Sequence, residues 1–171
     1  AIVRDRPDVI IVAGFPQRIG PAIRDLMPGL CVNVHTALLP AYRGPSPSEG
    51  LFIDDAVARH GGTTLHLVAP DYDTGAIIGA RPIGVEEGGT PLAYRIAAAQ
   101  ASGRLVREVL PAYLAGTVVP TVQIVGRIIF PIDKLGPAAV VASSVGPWSA
   151  AFVDALKHVA RRERSVACST T

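Results

Sequence analysis

The sequence predicts an α/β fold with a doubly wound, mostly parallel sheet that is incomplete at its N-terminal side. Three observations carry that reading. Asp8 to Ala13 (DVIIVA) is an unbroken, largely β-branched run ending at Gly14, as expected of a strand buried on both faces. Pro21 opens a short helical stretch, AIRDLM, closed by Pro28-Gly29, and Leu30 to Val34 follows as a second apolar strand. Strand, short helix and strand in succession are the βαβ rhythm of such sheets.

The elements that follow are read the same way. Thr36 to Gly50 is rich in Pro and Gly and is longer than an ordinary βα loop, a length that often marks function. Leu51 to His60 reads as a helix stopped by Gly61-Gly62, and Thr63 to Val68 alternates like a strand. Ala76 to Val85 is a further strand, with the turn-forming loop Ala69 to Gly75 between the two. Thr90-Pro91 is a cap followed by a first-turn proline. It opens a long helix with Ile96, Leu105, Val106, Val109 and Leu110 on the inner side. Val118 to Val125 and Arg127 to Phe130 are expected as two short strands or a hairpin, and Trp148 to Arg164 as a final amphipathic helix. Residues 1–118 are thus expected as a partial α/β core, and residues 119–171 as a C-terminal extension.

Composition narrows the function. The chain of 171 residues is 49% hydrophobic and 18% charged, the profile of an ordered globular domain. A net charge of +2 provides no electrostatic footprint for nucleic acid. No apolar run approaches a membrane span, the N-terminus has no signal-peptide pattern, and a cytoplasmic location is expected. Cys31 and Cys168 are the only cysteines, too few for a disulfide framework; Cys31 reads as a buried, inert thiol. The chain opens at a helix end directly before a strand, and it contains neither G-x-G-x-x-G nor a P-loop. A nucleotide site of the usual kind is therefore not expected.

Asn33 and His35 lie two apart on a strand, so their side chains share one face. They sit at its carboxyl end, where open α/β sheets hold ligands. On spacing alone two readings stand: a site meeting something polar, or core polar groups satisfied by loop backbone.

The wider string, Asn33-Val34-His35-Thr36-Ala37-Leu38-Leu39-Pro40-Ala41-Tyr42-Arg43-Gly44-Pro45, closely resembles the N-[VI]-H-x-S-L-L-P-x-Y-R-G signature of the folate-dependent formyltransferases. That family includes glycinamide ribonucleotide, methionyl-tRNA and sugar N-formyltransferases. Gly62-Thr63-Thr64-Leu65-His66 and Asp71-Tyr72-Asp73-Thr74-Gly75-Ala76-Ile77-Ile78 resemble its G-x-T-x-H and D-x-D-x-G-x-I-I segments, in the right order. Pro7 to Phe15 is similar to the strand lining the family's folate pocket, and the resemblance runs from about Asp5 to Gly116.

The resemblance implies a Rossmann-like core and transfer of a formyl group from 10-formyltetrahydrofolate to a primary amine, with no metal. The catalytic trio falls on Asn33, His35 and Asp73. In this reading Asn33 and a protonated His35 donate to the formyl oxygen, while Asp73 raises the pKa of His35 and holds a water for proton transfer. The folate pocket falls on Phe15, Gln17, Arg18 and Ile19, together with Ala69, Pro70 and Asp71. Arg18 meets a folate carboxylate or is a solvated loop arginine, and Asp71 is more a loop cap than a chemical group. Tyr42, Arg43 and His66 are assigned to the acceptor side; Arg43 binds an anion or caps its loop. A metal site on His35, His66 and Asp73 is compatible with the ligand types, but the spacing offers no support.

Thr36, Ala37 and Ser48-Glu49-Gly50 depart from the signature, the last in the region of the acceptor pocket. The family's first strands, with their acceptor-phosphate loop, do not precede Ala1 in this sequence. An exposed sheet edge beside Asp8–Ala13, and with it a homo-oligomer, is expected. Residues 119–171 are too few for the β-barrel that binds tRNA in methionyl-tRNA formyltransferases. The acceptor is therefore expected to be a small molecule, an amino sugar nucleotide or glycinamide ribonucleotide. A formyltetrahydrofolate hydrolase or a non-catalytic folate-binding remnant are the alternatives.

Overall fold

A computed structural model describes residues 2–5, 7–15, 17–84 and 89–124. Its elements in chain order are α1 (Ile2–Asp5), β1 (Ile10–Ala13), α2 (Pro21–Arg24), β2 (Cys31–His35), α3 (Pro47–Ile53), α4 (Val57–His60), β3 (Gly62–Leu67), β4 (Ile77–Pro82) and α5 (Pro91–Leu114). The expected final helix and the strand from Arg127 lie outside the described residues.

The four strands form one sheet in the order β1-β2-β3-β4. β1 and β2 are parallel, joined through α2 as the βαβ rhythm implies. β2 pairs with β3, and β3 with β4, antiparallel. The expectation of a mostly parallel sheet is thus corrected to a mixed one among the described residues. A parallel crossover needs a dozen or more residues, usually with a helix. Residues 68–76 between β3 and β4 are a turn-forming loop with no helix, so β4 can only return alongside β3.

β1 is also less covered than expected: its residues alternate between half-buried and exposed, and Ile11 is 45% exposed. It forms the edge of the sheet as described, so its β-branched run is not enclosed on both faces. β2 and β3, at the centre, are nearly all buried. The helix expected over Leu51 to His60 is two pieces, because the chain turns at Asp54-Asp55 and Asp55 takes a positive φ of 50°.

α5 lies across one face of β3 and β4. Leu105 and Leu110 pack with Val32, Val34, Leu65 and Ile78, while Val106 and Val109 close the flank. Ile96, expected on the inner side, is 53% exposed; Tyr94, Ala98 and Ala101 face inward in that part of the helix instead. Tyr94 joins Ala37, Tyr42, Leu51, Ala56 and Ala98 in a second cluster beneath α3. Its hydroxyl donates to the Thr36 carbonyl at 2.7 Å and accepts the Gly62 N–H at 3.1 Å. One buried phenol therefore registers the end of β2 against the start of β3. With Val32 and Val34 committed to α5, strand alternation turns Asn33 and His35 to the opposite face.

Candidate active site

The antiparallel register sets Asn33 directly opposite His66, and His35 opposite Thr64. Facing residues of such a pair stand about 5 Å apart at Cβ, close enough for side-chain contact. A register shift between Leu65 and His66 in the β3–β4 pairing falls at the same level, where bulges often re-aim a side chain. The loop 69–76 then carries Asp73 over this face with a positive φ of 52°.

The result is a compact polar cluster. Asn33 Nδ2 donates to Asp73 Oδ1 at 3.1 Å and to His66 Nε2 at 3.1 Å, which uses both of its N–H groups. His66 Nδ1 donates to the Leu67 carbonyl at 2.8 Å, leaving Nε2 as the acceptor. His35 Nε2 donates to the Tyr42 carbonyl at 2.7 Å, and its Nδ1 faces Asp73 Oδ2 at 3.4 Å. His66 Nε2 is also 3.4 Å from Asp73 Oδ1. The Gly44 N–H donates to Asp73 Oδ2 at 2.8 Å. Residues 42–44 thus hold two of the three expected catalytic residues, His35 through a carbonyl and Asp73 through an amide. Tyr42 takes a positive φ of 54° to do so.

The electrostatics correct one expectation. His35 is buried, and burial pushes its pKa below the ordinary imidazole value, outweighing the pull of the Asp73 charge and the Tyr42 carbonyl. His35 is therefore neutral at neutral pH, with its proton on Nε2, and is not a resting imidazolium. Burial also acts to raise the Asp73 carboxyl, but His66, His35 and the Gly44 N–H together hold it below the usual carboxylate range. Asp73 is ionised.

The cluster floors a cleft of about 170 Å³. Among the residues assigned to the folate pocket, Phe15, Gln17, Arg18, Ile19, Ala69 and Asp71 line it, while Pro70 is exposed and does not. Asp71 turns its carboxylate to the Tyr72 N–H at 3.0 Å, the loop-capping role expected of it. Of the acceptor-side residues only His66 lines the cleft. Tyr42 points into the core, its hydroxyl donating to Asp54 Oδ2 at 3.2 Å, so the aromatic ring of the signature is structural here. Arg43 is buried and lies off the cleft lining. No group of three or more His, Cys, Asp or Glu among the described residues is placed to hold a metal ion. Cys31 is buried and unbridged, and burial raises its thiol pKa.

The family model for formyl transferases matches residues 1–110, which include every residue of the cluster. The chain belongs to the formyl transferase family. Methionyl-tRNA formyltransferase of Myxococcus xanthus is 32% identical over 121 residues, covering 68% of this chain and 37% of that protein. The enzyme of the same name from Citrifermentans bemidjiense is 34% identical over 119 residues, with 68% and 36% covered. This formyl transferase chain thus spans little more than a third of the length of these curated relatives. Among solved structures, the formyltransferase PseJ of Anoxybacillus kamchatkensis, in complex with UDP-4,6-dideoxy-4-formamido-L-AltNAc and tetrahydrofolate, is similar. It aligns at TM-score 0.69 and 26% identity, covering 78% of this chain and 70% of that one. Phosphoribosylglycinamide formyltransferase of Bacillus halodurans aligns at TM-score 0.59 and 28% identity, covering 67% and 58%.

Proposed function

We propose that the protein transfers a formyl group from 10-formyltetrahydrofolate to a primary amine, at the floor of this cleft. The observation that carries the proposal is the Asn33–His35–Asp73 cluster, closed by His66, within the part of the chain that matches the family. The cleft suits a folate. Val12, Ile19 and Val68 give it apolar walls, and Phe15, 52% exposed, offers an aromatic face at its rim. Gln17, Arg18 and the backbone of residues 68–69 supply polar partners. The formyl donor would bring an electrophilic carbon bonded to a nitrogen leaving group.

The residues of the chain divide the remaining work. Neutral His35 is suited to take the attacking amine's proton at Nδ1, which faces the cleft beside Asp73. The imidazolium so formed is stabilised on one side by the Asp73 carboxylate and on the other by the Tyr42 carbonyl, and it returns the proton to the folate nitrogen as that nitrogen's bond to the formyl carbon breaks. Asn33 is the donor for the formyl oxygen, where negative charge develops, and one such donor is worth about 3–4 kcal/mol. Both Asn33 N–H groups are lent to Asp73 and His66, so Asn33 must release one of these bonds to meet the formyl oxygen.

Three acceptor classes have support. The likeness to PseJ favours an amino sugar nucleotide, the likeness to the Bacillus halodurans enzyme favours glycinamide ribonucleotide, and the curated relatives favour methionyl-tRNA. The test offers 10-formyltetrahydrofolate with a 4-amino sugar nucleotide, with glycinamide ribonucleotide and with methionyl-tRNA, and follows the mass of each acceptor. One acceptor gaining a formyl group is the expected result. Folate release at an equal rate without any amine would replace transfer by hydrolysis.

A further inference from the structure

Gln123 lies beyond residues 1–110, which the family model matches, and reaches back into the site. Its side-chain Nε2 donates to the Asp73 carbonyl at 3.0 Å and to the Gly75 carbonyl. The backbone two residues earlier is pinned to β4, with Thr121 and Ile77 exchanging both N–H···O bonds at 2.8 Å. The pattern of burial is inverted for a strand-like segment. Val122 and Ile124 are 83% and 87% exposed, while the polar side chain between them is turned inward. Gln123 Oε1 is buried and has no hydrogen-bond partner among the described residues. Reversing the amide would set that oxygen against two carbonyls, so the partners fix Nε2 as the donor to both. The loop it grips has little freedom of its own: Asp73 is left-handed, and a Cβ on Gly75 would lie 1.8 Å from the Leu67 carbonyl oxygen.

We propose that Gln123 is a positioning residue, whose amide holds the backbone of residues 73–75 so that the Asp73 carboxylate stays between His35 and His66. The C-terminal segment would then be part of the catalytic machinery, acting through Asp73 without touching the substrate. This inference rests on the formyl-transfer reading for its kinetic consequence but not for its structural one.

The test uses the full 171-residue chain with Gln123→Met, which keeps the shape and removes both donors, and Gln123→Glu, which turns a carboxylate towards the two carbonyls. The proton on His35 Cε1 is followed by NMR as pH is varied, and formyl transfer is measured in parallel. As Asp73 drifts from His35, the His35 midpoint moves to lower pH in the order wild type, Met, Glu. kcat falls between about tenfold and a hundredfold, as expected of a small misplacement, while KM for the formyl donor stays within about twofold. Acidification restores the Gln123→Glu variant relative to Gln123→Met, because the introduced carboxyl gains a donor proton. An unchanged His35 midpoint in folded variants, or equal behaviour of Met and Glu at every pH, overturns the proposal. A wild-type chain that transfers no formyl group to any amine sinks the functional reading instead, and the NMR arm still decides the role of Gln123.

Discussion

Replacing Asp73 with Asn tests the electrostatic design of the cluster. The carboxylate accepts from Asn33 Nδ2 at one oxygen and from the Gly44 N–H at the other. An asparagine has a single oxygen, so its NH2 group must meet one of those two donors. The variant loses one charge-assisted bond, worth about 1.5–3 kcal/mol, and leaves a buried donor without a partner at a further cost of about 1–3 kcal/mol. A loss of about 3 kcal/mol is expected, because the remaining donor can relax partway. At this chain length about 2–4 °C is lost per kcal/mol, so Tm falls by about 6–12 °C. The same substitution removes the charge that supports protonation of His35, so its ring titrates at still lower pH. Thermal melting gives the first quantity and NMR titration of the His35 ring the second. A stability loss below about 1 kcal/mol, or a His35 midpoint that stays put or rises, would rule out this role for the Asp73 carboxylate.

Three further outcomes follow from the same geometry. Tyr94→Phe removes the hydroxyl that joins Thr36 to Gly62 and whose pKa burial pushes up to about 12; a loss of about 1–3 kcal/mol is expected in urea unfolding. Gly75→Ala drives a Cβ into the Leu67 carbonyl, so the Asp73 loop or the end of β3 must shift; a cost of about 1–3 kcal/mol and a fall in formyl transfer should appear together. Stability also falls on acidification. Both His35 and Asp73 have folded pKa values below their ordinary 6.5 and 3.8, so the unfolded chain takes up each proton first. Their contributions are complete above those values and are lost as pH drops below 6.5 for His35, then below 3.8 for Asp73. Urea midpoints that rose between neutral pH and about pH 5 would contradict this sign.

Much of the site was legible because it is written in short, ordered segments. Asn33 and His35 share a face by strand alternation alone, and Asp73 arrives through a loop whose composition marks it as a turn. What the sequence could not show was register. His66 sits opposite Asn33 because β3 runs antiparallel to β2, and an alternating run reads the same in either direction. The absence of a helix between β3 and β4 was the available clue to a mixed sheet. The role of Tyr42 is hidden for a related reason: a signature preserves a residue's identity without saying whether its ring or its carbonyl does the work. The resting charge of His35 is not legible in the sequence, because burial, a property of the whole fold, outweighs a single neighbouring carboxylate. Gln123 is the hardest case. It follows the long helix by several residues and meets Asp73 only through tertiary packing, and the one sequence hint is a lone amide between Val122 and Ile124.

Formyl transfer at this cleft is measured with 10-formyltetrahydrofolate labelled with 13C at the formyl carbon. The label is followed into the amine acceptor with wild-type protein, Asn33→Ala and His35→Ala, all confirmed as folded. Labelled product is expected from the wild type, with a loss of about a hundredfold or more in kcat for each variant, the effect of removing one oxyanion donor or the base. Transfer at wild-type rate by either variant would contradict it.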